Sequence, residues 1–352
     1  MTSLRVRPAR AAAVATLGAA ALLTAACGGG SSSTSSSAAA SSAAPAASSA
    51  AATSAAAATS AAAASNLPKT MVFSPLSLAP AALKGLSEGV KGYGQSQGWE
   101  VIVQDPNFDA NKQVQQLKEV IGSGRAGAAW VIAVAPSAMG DLIKTAQEKG
   151  VPILVNGKPD EWGFTDAQPG VTFDYIDYTL AGTNMGQLLG KCITEKLGGK
   201  ADVLFGEAPT GTAGKAEYDK AALAALASTA PNAKVVQTIQ TPDRAKAQTD
   251  IGAALQGHPT LNAFMSSGDE GPLAALGAYA AAGKTLTCDV AGTAGNDETL
   301  KQVKAGKIYG VNALQFADDM KQSFDTLVKM QGDPTAKGLV LTVPQKLVTA
   351  AG

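Results

Sequence analysis

Side chains that can both donate and accept hydrogen bonds follow the ends of several predicted strands. Asn156 and Gln315 carry carboxamides, which suit the paired donors and acceptors of a neutral polyol. Asp269 begins a predicted helix, where its carboxylate could accept from a ligand hydroxyl or cap the helix. Trp162 lies in the polar segment Asp160–Phe164, where an exposed ring can pack on the apolar face of a small molecule. These residue types predict non-covalent recognition of a small hydroxylated ligand.

The connections that follow the other predicted strands supply the remaining candidates. Ligands of open α/β proteins bind beyond the carboxyl ends of the strands. By this rule the further candidate ligand-binding residues are Phe73, Ser74, Asn107, Lys158 and Thr210. Trp99 and Trp130, by contrast, lie in apolar surroundings and are expected in the core.

Motifs for catalysis are incomplete or misplaced in this chain. Gly283-Lys284-Thr285 follows a predicted helix and precedes a strand, the reverse of a phosphate-binding loop. The lone His258 has no obvious nucleophile, and the sequence has no Gly-x-Ser-x-Gly elbow. One histidine and two cysteines beyond the leader do not make a usual zinc site. We therefore expect no enzymatic activity, no metal and no cofactor.

The N-terminus predicts export followed by lipid attachment. Three arginines precede an apolar run from Ala11 to Leu23 that is too short to cross a bilayer comfortably, so residues 1–26 are predicted to be a signal peptide. Leu23-Thr24-Ala25-Ala26-Cys27 resembles a bacterial lipobox, although Thr24 takes the position where leucine is commonest. That resemblance implies diacylation of Cys27 and anchoring to the outer face of the cell membrane. Ordinary secretion with an incidental cysteine is the alternative.

Composition limits the partners and the number of domains. Residues 27–66 are almost entirely Ser, Ala and Gly and are predicted to form a disordered tether after the lipidated cysteine. The remaining stretch of about 285 residues favours two domains. Lys plus Arg and Asp plus Glu number 28 each, which gives no support to nucleic-acid binding. Cys192 and Cys288 could form a disulfide outside the cytoplasm or remain buried thiols, and the sequence leaves both open.

From Thr70 onward, short apolar runs alternate with segments of helical spacing. The predicted strands are Met71–Phe73, Trp99–Gln104, Ala128–Ala133, Pro152–Asn156, Val171–Phe173, Asp202–Gly206, Lys234–Ile239, Leu261–Met265, Cys288–Gly292 and Ile308–Asn312. Strand–helix repetition predicts an α/β fold of doubly wound parallel sheets with right-handed crossovers. Ten strands are too many for one such sheet at this length, so two sheets are expected.

Five segments also occur in the order and spacing of a known family: Gly89–Val101, Gln104–Gln116, Lys149–Ile153, Asp269–Ala278 and Gly306–Ile308. They resemble the type 1 periplasmic-binding-protein fold, specifically the ribose- and galactose-binding-like receptors of sugar ABC transporters. The resemblance covers about residues 70–349 and implies two doubly wound parallel-sheet lobes joined by three hinge crossovers. The N-terminal lobe is expected over residues 67–170 plus about 313–337, and the C-terminal lobe over 171–312 plus about 338–352.

The family's pentose clamp is largely replaced in this chain. Ala135, Ala216 and Ala294 stand where pentose receptors carry asparagine, arginine and aspartate, and the stretch Asn156-Gly157-Lys158 stands where they carry an Asp-Arg pair. Asp269 and Gln315 match the family pattern. The resemblance therefore implies the scaffold but not a ribose receptor.

The resemblance implies an extracytoplasmic lipoprotein that captures a small polyhydroxylated ligand, a sugar or a sugar-like molecule. It would act as a monomer and deliver the ligand to an ABC permease and ATPase complex. A ligand sensor of the same fold that signals to a membrane kinase or chemoreceptor is the alternative. A transcriptional regulator would need an N-terminal helix-turn-helix, and the leader and tether occupy that place.

Overall fold

The computed structural model describes residues 66–333 and 336–351, so the predicted leader, Cys27 and nearly all of the tether lie outside this part. The strands are β1 Thr70–Ser74, β2 Glu100–Val103, β3 Ala128–Val131, β4 Ile153–Asn156, β5 Val171–Tyr175, β6 Lys200–Glu207, β7 Asn232–Gln240, β8 Leu261–Ser266, β9 Cys288–Ala294, β10 Gly310–Leu314, β11 Val340–Thr342 and β12 Gln345–Thr349. The helices are α1 Ala81–Ser96, α2 Ala110–Gly122, α3 Gly140–Glu148, α4 Tyr178–Leu197, α5 Lys215–Thr229, α6 Arg244–Gly257, α7 Glu270–Ala281, α8 Asp297–Lys304 and α9 Phe316–Gln331. Over the described residues, no helix is both long and apolar enough to span a bilayer.

The first sheet has six parallel strands in the order β11-β5-β4-β3-β1-β2. Alternate residues of β1 enter the cores on its two faces, because successive side chains of a strand point to opposite sides. Val72 packs with Leu117 of α2, whereas Phe73 packs with Trp130 and with Phe324 of α9. This sheet with its helices, including α9, is called the first lobe.

The second sheet has the order β12-β10-β9-β8-β6-β7, and only β12 runs antiparallel to its neighbour. Helices cover both faces: Leu189 of α4 packs with Val203, while Ile251 of α6 packs with Phe264. This sheet with α4 to α8 is called the second lobe. The expected α/β fold of two doubly wound lobes is confirmed, and the ten predicted strands all form.

The lobe boundaries predicted from the sequence are wrong at two places. β5 pairs with β4, and β11 pairs with β5, so residues 171–175 and 340–342 belong to the first lobe. The polar segment after Asn156 does not leave the lobe, because the N–H of Gly157 bonds to the carbonyl of Asp174 at 2.8 Å and holds the chain against β5. β11 and β12 were not predicted, since their apolar runs are short and their residues largely exposed.

The chain passes between the lobes three times, as expected: after β5, after β10 and after β11. These passages are hydrogen-bonded to each other. The N–H of Val343 donates to the carbonyl of Tyr175 at 2.9 Å, and the N–H of Gln315 donates to the carbonyl of Pro344 at 2.8 Å. Three adjacent, mutually bonded segments are the usual construction of a hinge.

Helices α4 and α5 approach closely along a line of glycines. A Cβ atom on Gly182 or on Gly186 would lie 2.2 Å from a backbone carbonyl of α5, and one on Gly190 would lie 2.5 Å from Thr229. No larger residue fits at these positions without displacing a helix. The glycines therefore hold the N-termini of α4 and α5 next to each other, at the edge of the second lobe that faces the first.

A disulfide between Cys192 and Cys288 fastens α4 to the first residue of β9. The sulfur atoms are 2.07 Å apart, the Cα atoms 5.7 Å, and both residues are fully buried. The bond closes a loop of 96 residues within the second lobe. Of the two alternatives that the sequence left open, the structure has the bonded one.

Candidate ligand-binding site

A cavity of about 480 Å³ lies between the two lobes, at the carboxyl ends of the strands of the first sheet. The first lobe and the crossing segments contribute Leu76, Leu83, Leu86, Trp130, Ile132, Asn156, Gly157, Lys158, Glu161, Asp174, Tyr175, Ile176, Phe316, Asp319 and Val343. The second lobe contributes Tyr178, Ala213, Gly214 and Glu217. The volume is in the range of small-molecule sites. A larger groove of about 730 Å³ between α6 and α7 is confined to the second lobe, so a molecule there would not contact both lobes.

A chain of buried polar groups forms the floor of the cavity. The indole N–H of Trp130 donates to Oδ1 of Asn156 at 2.9 Å, and Nδ2 of Asn156 donates to Oδ2 of Asp174 at 3.1 Å. The Trp130 ring is itself fixed by an edge-to-face contact with Phe73, with centroids 5.1 Å apart. These two hydrogen bonds fix the orientation of the Asn156 carboxamide, and the second one holds the Asp174 carboxyl in place.

Asp174 and Asp319 form a pair of neighbouring buried carboxyls. Asp174 has no solvent exposure, and its carboxyl is hydrogen-bonded to that of Asp319. Asp319 is 5% exposed and accepts from Nε2 of Gln322 at 2.7 Å. Burial raises the pKa of Asp174 to about 8, and the charge of Asp319 raises it in the same direction. Burial also raises the pKa of Asp319. Two such groups cannot both ionise at low cost, so at neutral pH the pair retains a proton.

A cation from the first lobe meets an anion of the second across the cavity. Nζ of Lys158 lies 3.7 Å from Oε1 of Glu217 and 5.8 Å from the centroid of the Tyr175 ring. The two charged side chains are 35% and 50% exposed, so the ion pair is worth at most about 1 kcal/mol. It identifies the surfaces that meet when the lobes come together.

Tyr178 of α4 lies flat against Gly214, at the start of α5. A Cβ on Gly214 would lie 1.9 Å from the Tyr178 ring, and the φ of Gly214 is +69°, so glycine is required for two reasons. Burial raises the pKa of the Tyr178 hydroxyl, and the charges of Glu161 and Glu217 raise it further. The phenol therefore stays protonated and can donate a hydrogen bond into the cavity.

Two of the predicted ligand-binding residues, Asn156 and Lys158, line the cavity. A third, Trp162, lies behind it: its indole N–H donates to the carbonyl of Asn156 at 3.2 Å, and its ring packs on the core of the first lobe. Phe73 and Ser74 are completely buried and do not line the cavity. Phe73 packs edge-to-face on Trp130, and Oγ of Ser74 accepts from Nε2 of Gln113 at 3.1 Å.

The other four predicted residues do not line the cavity. Asn107 is exposed at a φ of +55°, and Oγ1 of Thr210 accepts from Gln240 at 3.0 Å. Asp269 neither caps α7 nor reaches the cavity: its Oδ1 accepts the N–H groups of Gly295 and Asn296. The side chain of Gln315 donates to the carbonyl of Ala313 at 3.0 Å, within the second crossing. Thr210, Asp269 and Gln315 therefore bond to other groups of the protein, and Asn107 is exposed outside the cavity.

The sequence analysis missed Asp174, Asp319, Tyr178 and Glu217. Asp174 carried a usable signal, because it directly follows the predicted strand Val171–Phe173 and the strand-end rule applies to it. Asp319 and Glu217 lie in the first turns of α9 and α5, where acidic residues are common for electrostatic reasons alone. No local pattern indicates that Asp319 and Glu217 line a cavity, because the cavity forms only where the two lobes meet.

Relatives with known names have similar sequences. A ribose import binding protein of Bacillus subtilis is 27% identical over 234 residues, which is 65% of this chain and 71% of that protein. A xylitol-binding protein of Mycolicibacterium smegmatis is 26% identical over 235 residues, 64% of this chain and 62% of that protein.

Solved structures share the fold. An ABC transporter periplasmic solute-binding protein from Actinobacillus succinogenes, with bound D-allose, aligns with a TM-score of 0.65 at 18% identity and covers 81% of this chain and 98% of its own. A Caulobacter myo-inositol binding protein, bound to myo-inositol, has a TM-score of 0.61 at 18% identity and covers 81% and 96%. The family model for the periplasmic binding protein domain matches residues 71–334. This is a family of extracytoplasmic solute-binding proteins and not of enzymes, and the resemblance inferred from the sequence is confirmed: the chain belongs to the periplasmic binding protein domain family.

Proposed function

We propose that this protein is the receptor of an ABC importer and binds a small polyhydroxylated molecule, a sugar or sugar-like compound, in the cavity between its lobes. The observation that carries the proposal is that polar side chains of both lobes converge on one cavity, with Asn156, Asp174 and Lys158 on one side and Tyr178 and Glu217 on the other. Ribose and xylitol are the ligands in the names of the two relatives, which supports this ligand class.

Closure would follow from contacts that the ligand makes with both lobes. A ligand shifts a conformational equilibrium only by its differential affinity for the two states. A molecule in this cavity touches the carboxyls of the first lobe and the phenol of Tyr178 in the second, so it favours the closed state. The hydrogen-bonded crossings would bend to allow this movement.

Anchoring by a lipid on Cys27 is part of the same proposal. The residue lies outside the described part of the chain, and the argument for it is the lipobox-like sequence before it. Radioactive palmitate supplied to expressing cells should label the wild-type protein and leave the Cys27→Ala variant unlabelled. Equal labelling of both would exclude this site of attachment.

A thermal-shift screen tests the proposed ligand class. The purified protein is heated with pentoses, hexoses, alditols, inositols and nucleosides, and with amino acids and short peptides as the competing classes. We expect at least one polyhydroxylated compound to raise the Tm in a concentration-dependent manner. Stabilisation by amino acids or peptides alone would refute the proposal. Loss of uptake of the same compound in cells lacking the gene then tests the link to an importer.

A further inference from the structure

The lining of the cavity changes from polar to apolar along the edge of the first sheet. The strands that reach the cavity stand in the order β5-β4-β3-β1. β5 contributes Asp174 and Tyr175, and β4 contributes Asn156 and, shortly after its end, Lys158. The second lobe meets the same half of the cavity, because Glu217 pairs with Lys158 at 3.7 Å. The hydrogen-bonding side chains of both lobes are therefore gathered at the ends of β4 and β5.

The other half of the cavity, at the ends of β3 and β1, is apolar. Ile132 and Leu76 follow these two strands, and Leu83 and Leu86 of α1 complete the wall. All four side chains are half-buried and therefore still present apolar surface. Trp130 of β3 also lines this half, but its indole N–H is already bonded within the cavity floor. Among the described lining residues, this half thus offers a ligand no side chain with an unused donor or acceptor.

Phe108 extends the apolar half at its outer border. Its N–H donates to the carbonyl of Leu76 at 2.9 Å. Oδ1 of Asp105 joins the same two loops, because it accepts from the N–H groups of Leu78 at 3.2 Å and Asn107 at 2.9 Å. Phe108 is 53% exposed at a φ of +61°, directly after the φ of +55° at Asn107. Such backbone strain costs stability, and proteins retain it mainly at functional sites. The loop thus holds an exposed aromatic residue beside Leu76.

We infer that the ligand is amphipathic, a sugar with an apolar substituent, so the substrate class is an alkyl or aryl glycoside. Its hydroxyl groups bind at the ends of β4 and β5, and its substituent lies against Ile132, Leu76 and α1. The inference rests on the proposed function, because it names the chemistry of the molecule that occupies the same cavity.

The width and the chemistry of the lining both support this class of ligand. From β5 to β1 the lining extends over three strand intervals, about 14 Å, which is wider than one sugar ring. A hydroxyl group on the apolar half would lose water without gaining a side-chain partner, which is unfavourable. A hydrocarbon group in the same place gains free energy because its surface leaves water. A sugar alone would therefore fill the polar half and leave the apolar half unused.

Isothermal titration with matched glycosides tests this inference. Glucose, galactose and xylose are each compared with their methyl, phenyl and n-hexyl β-glycosides. For at least one of these sugars, the phenyl or hexyl glycoside should bind at least about ten-fold more tightly than the methyl glycoside, the effect of burying about two methylene groups. The heat capacity change of binding should also be more negative for the larger glycoside, since more apolar surface leaves water.

Variants of the apolar half locate the substituent. Leu83→Gln alters a half-buried leucine of the wall, and Phe108→Asn removes the exposed ring at a positive φ that asparagine accepts more readily. In each folded variant the preference for the larger glycoside over the methyl glycoside should fall at least about three-fold, the effect of one methylene group. Leu223→Gln changes an exposed leucine of α5 outside the cavity and, as the matched control, should keep the wild-type preference.

The possible failures of the inference and of the proposed function differ. Equal affinity for the methyl, phenyl and hexyl glycosides, or weaker binding of the larger ones, would overturn the inference and leave the proposed function intact. A preference that persists in both Leu83→Gln and Phe108→Asn would also overturn it, because the substituent would then lie elsewhere. Failure of every sugar, polyol and glycoside to bind would refute both.

Discussion

Asp174→Asn should stabilise the protein at neutral and mildly alkaline pH. Asparagine has nearly the shape of aspartate, and its carbonyl can keep the hydrogen bond from Asn156. It cannot ionise, so the penalty for a buried negative charge beside Asp319 disappears. The substituted amide can also donate to the Asp319 carboxyl, as the protonated acid does.

The size of the effect follows from the pKa of Asp174. In the unfolded chain this carboxyl releases its proton near pH 3.8, whereas in the folded protein the pKa is about 8. Between these values the folded state holds the additional proton, so the free energy of unfolding falls as the pH rises, by about 1.4 kcal/mol per pH unit. The accumulated cost at pH 8 is on the order of 5 kcal/mol. Asparagine removes this contribution, so the two proteins should differ little near pH 4 and most at pH 8.

Urea unfolding followed by circular dichroism from about pH 5 to pH 8 measures the difference. Asp289, also buried with a raised pKa, contributes a slope of the same sign in both proteins, and this cancels in the comparison. Asp141→Asn, whose side chain is 89% exposed, is the control and should change stability by less than about 0.5 kcal/mol. If the free energy of unfolding depended on pH equally in wild type and Asp174→Asn, the reasoning would be refuted, because burial would then not raise the pKa of Asp174.

Other expectations concern the second lobe and the ion pair across the cavity. Gly214→Ala should lower the free energy of unfolding by at least about 1 kcal/mol more than Gly211→Ala, since both glycines have positive φ but only Gly214 has a ring against it; equal losses in urea would contradict this. Replacing Cys192 and Cys288 together by alanine should lower it by about 2–5 kcal/mol, and an unchanged urea midpoint would exclude a stabilising disulfide. Lys158→Gln should change stability by less than about 1 kcal/mol, and a larger loss in urea unfolding would contradict a solvent-screened ion pair.

Sequence reasoning reached the fold because the relevant signals are local and repeated. Apolar runs such as Val131–Val134 and Ile153–Val155 show strands covered on both faces, and amphipathic spacing shows the helices between them. Helix ends carry local signals as well: Asp109 accepts the N–H of Lys112 at the start of α2, and Gly98 and Gly150, just after α1 and α3, have positive φ. The strands β11 and β12 were not predicted, because they are short edge strands whose side chains are largely exposed.

The cavity was only partly predictable, because it depends on contacts between distant segments. Asn156 was found from its place after an apolar strand, but its partners Trp130 and Asp174 come from two other strands. Trp130 was expected in the core, and it is 1% exposed, yet its indole N–H also supports the cavity floor. No pattern within α9 distinguishes Asp319 from the neighbouring Asp318, which is exposed. Pairing of the carboxyls arises only when α9 packs on the first sheet.

The position of the buried carboxyls Asp174 and Asp319 supports a functional role for the cavity. Buried carboxyls with raised pKa values destabilise a fold, and they persist in proteins mainly where function requires them. Asp174 and Asp319 meet at the cavity floor, between segments through which the chain crosses to the second lobe.

Blocking the cavity tests the central claim that the ligand binds between the lobes. Ala213 is an exposed residue of the cavity wall, and Ala245 is an exposed residue of α6 in the same lobe. Isothermal titration of the most stabilising polyhydroxylated compound should show wild-type affinity for Ala245→Trp and no measurable binding for Ala213→Trp, with both variants folded by circular dichroism. Wild-type affinity in folded Ala213→Trp would contradict the account, because the ligand would then bind elsewhere.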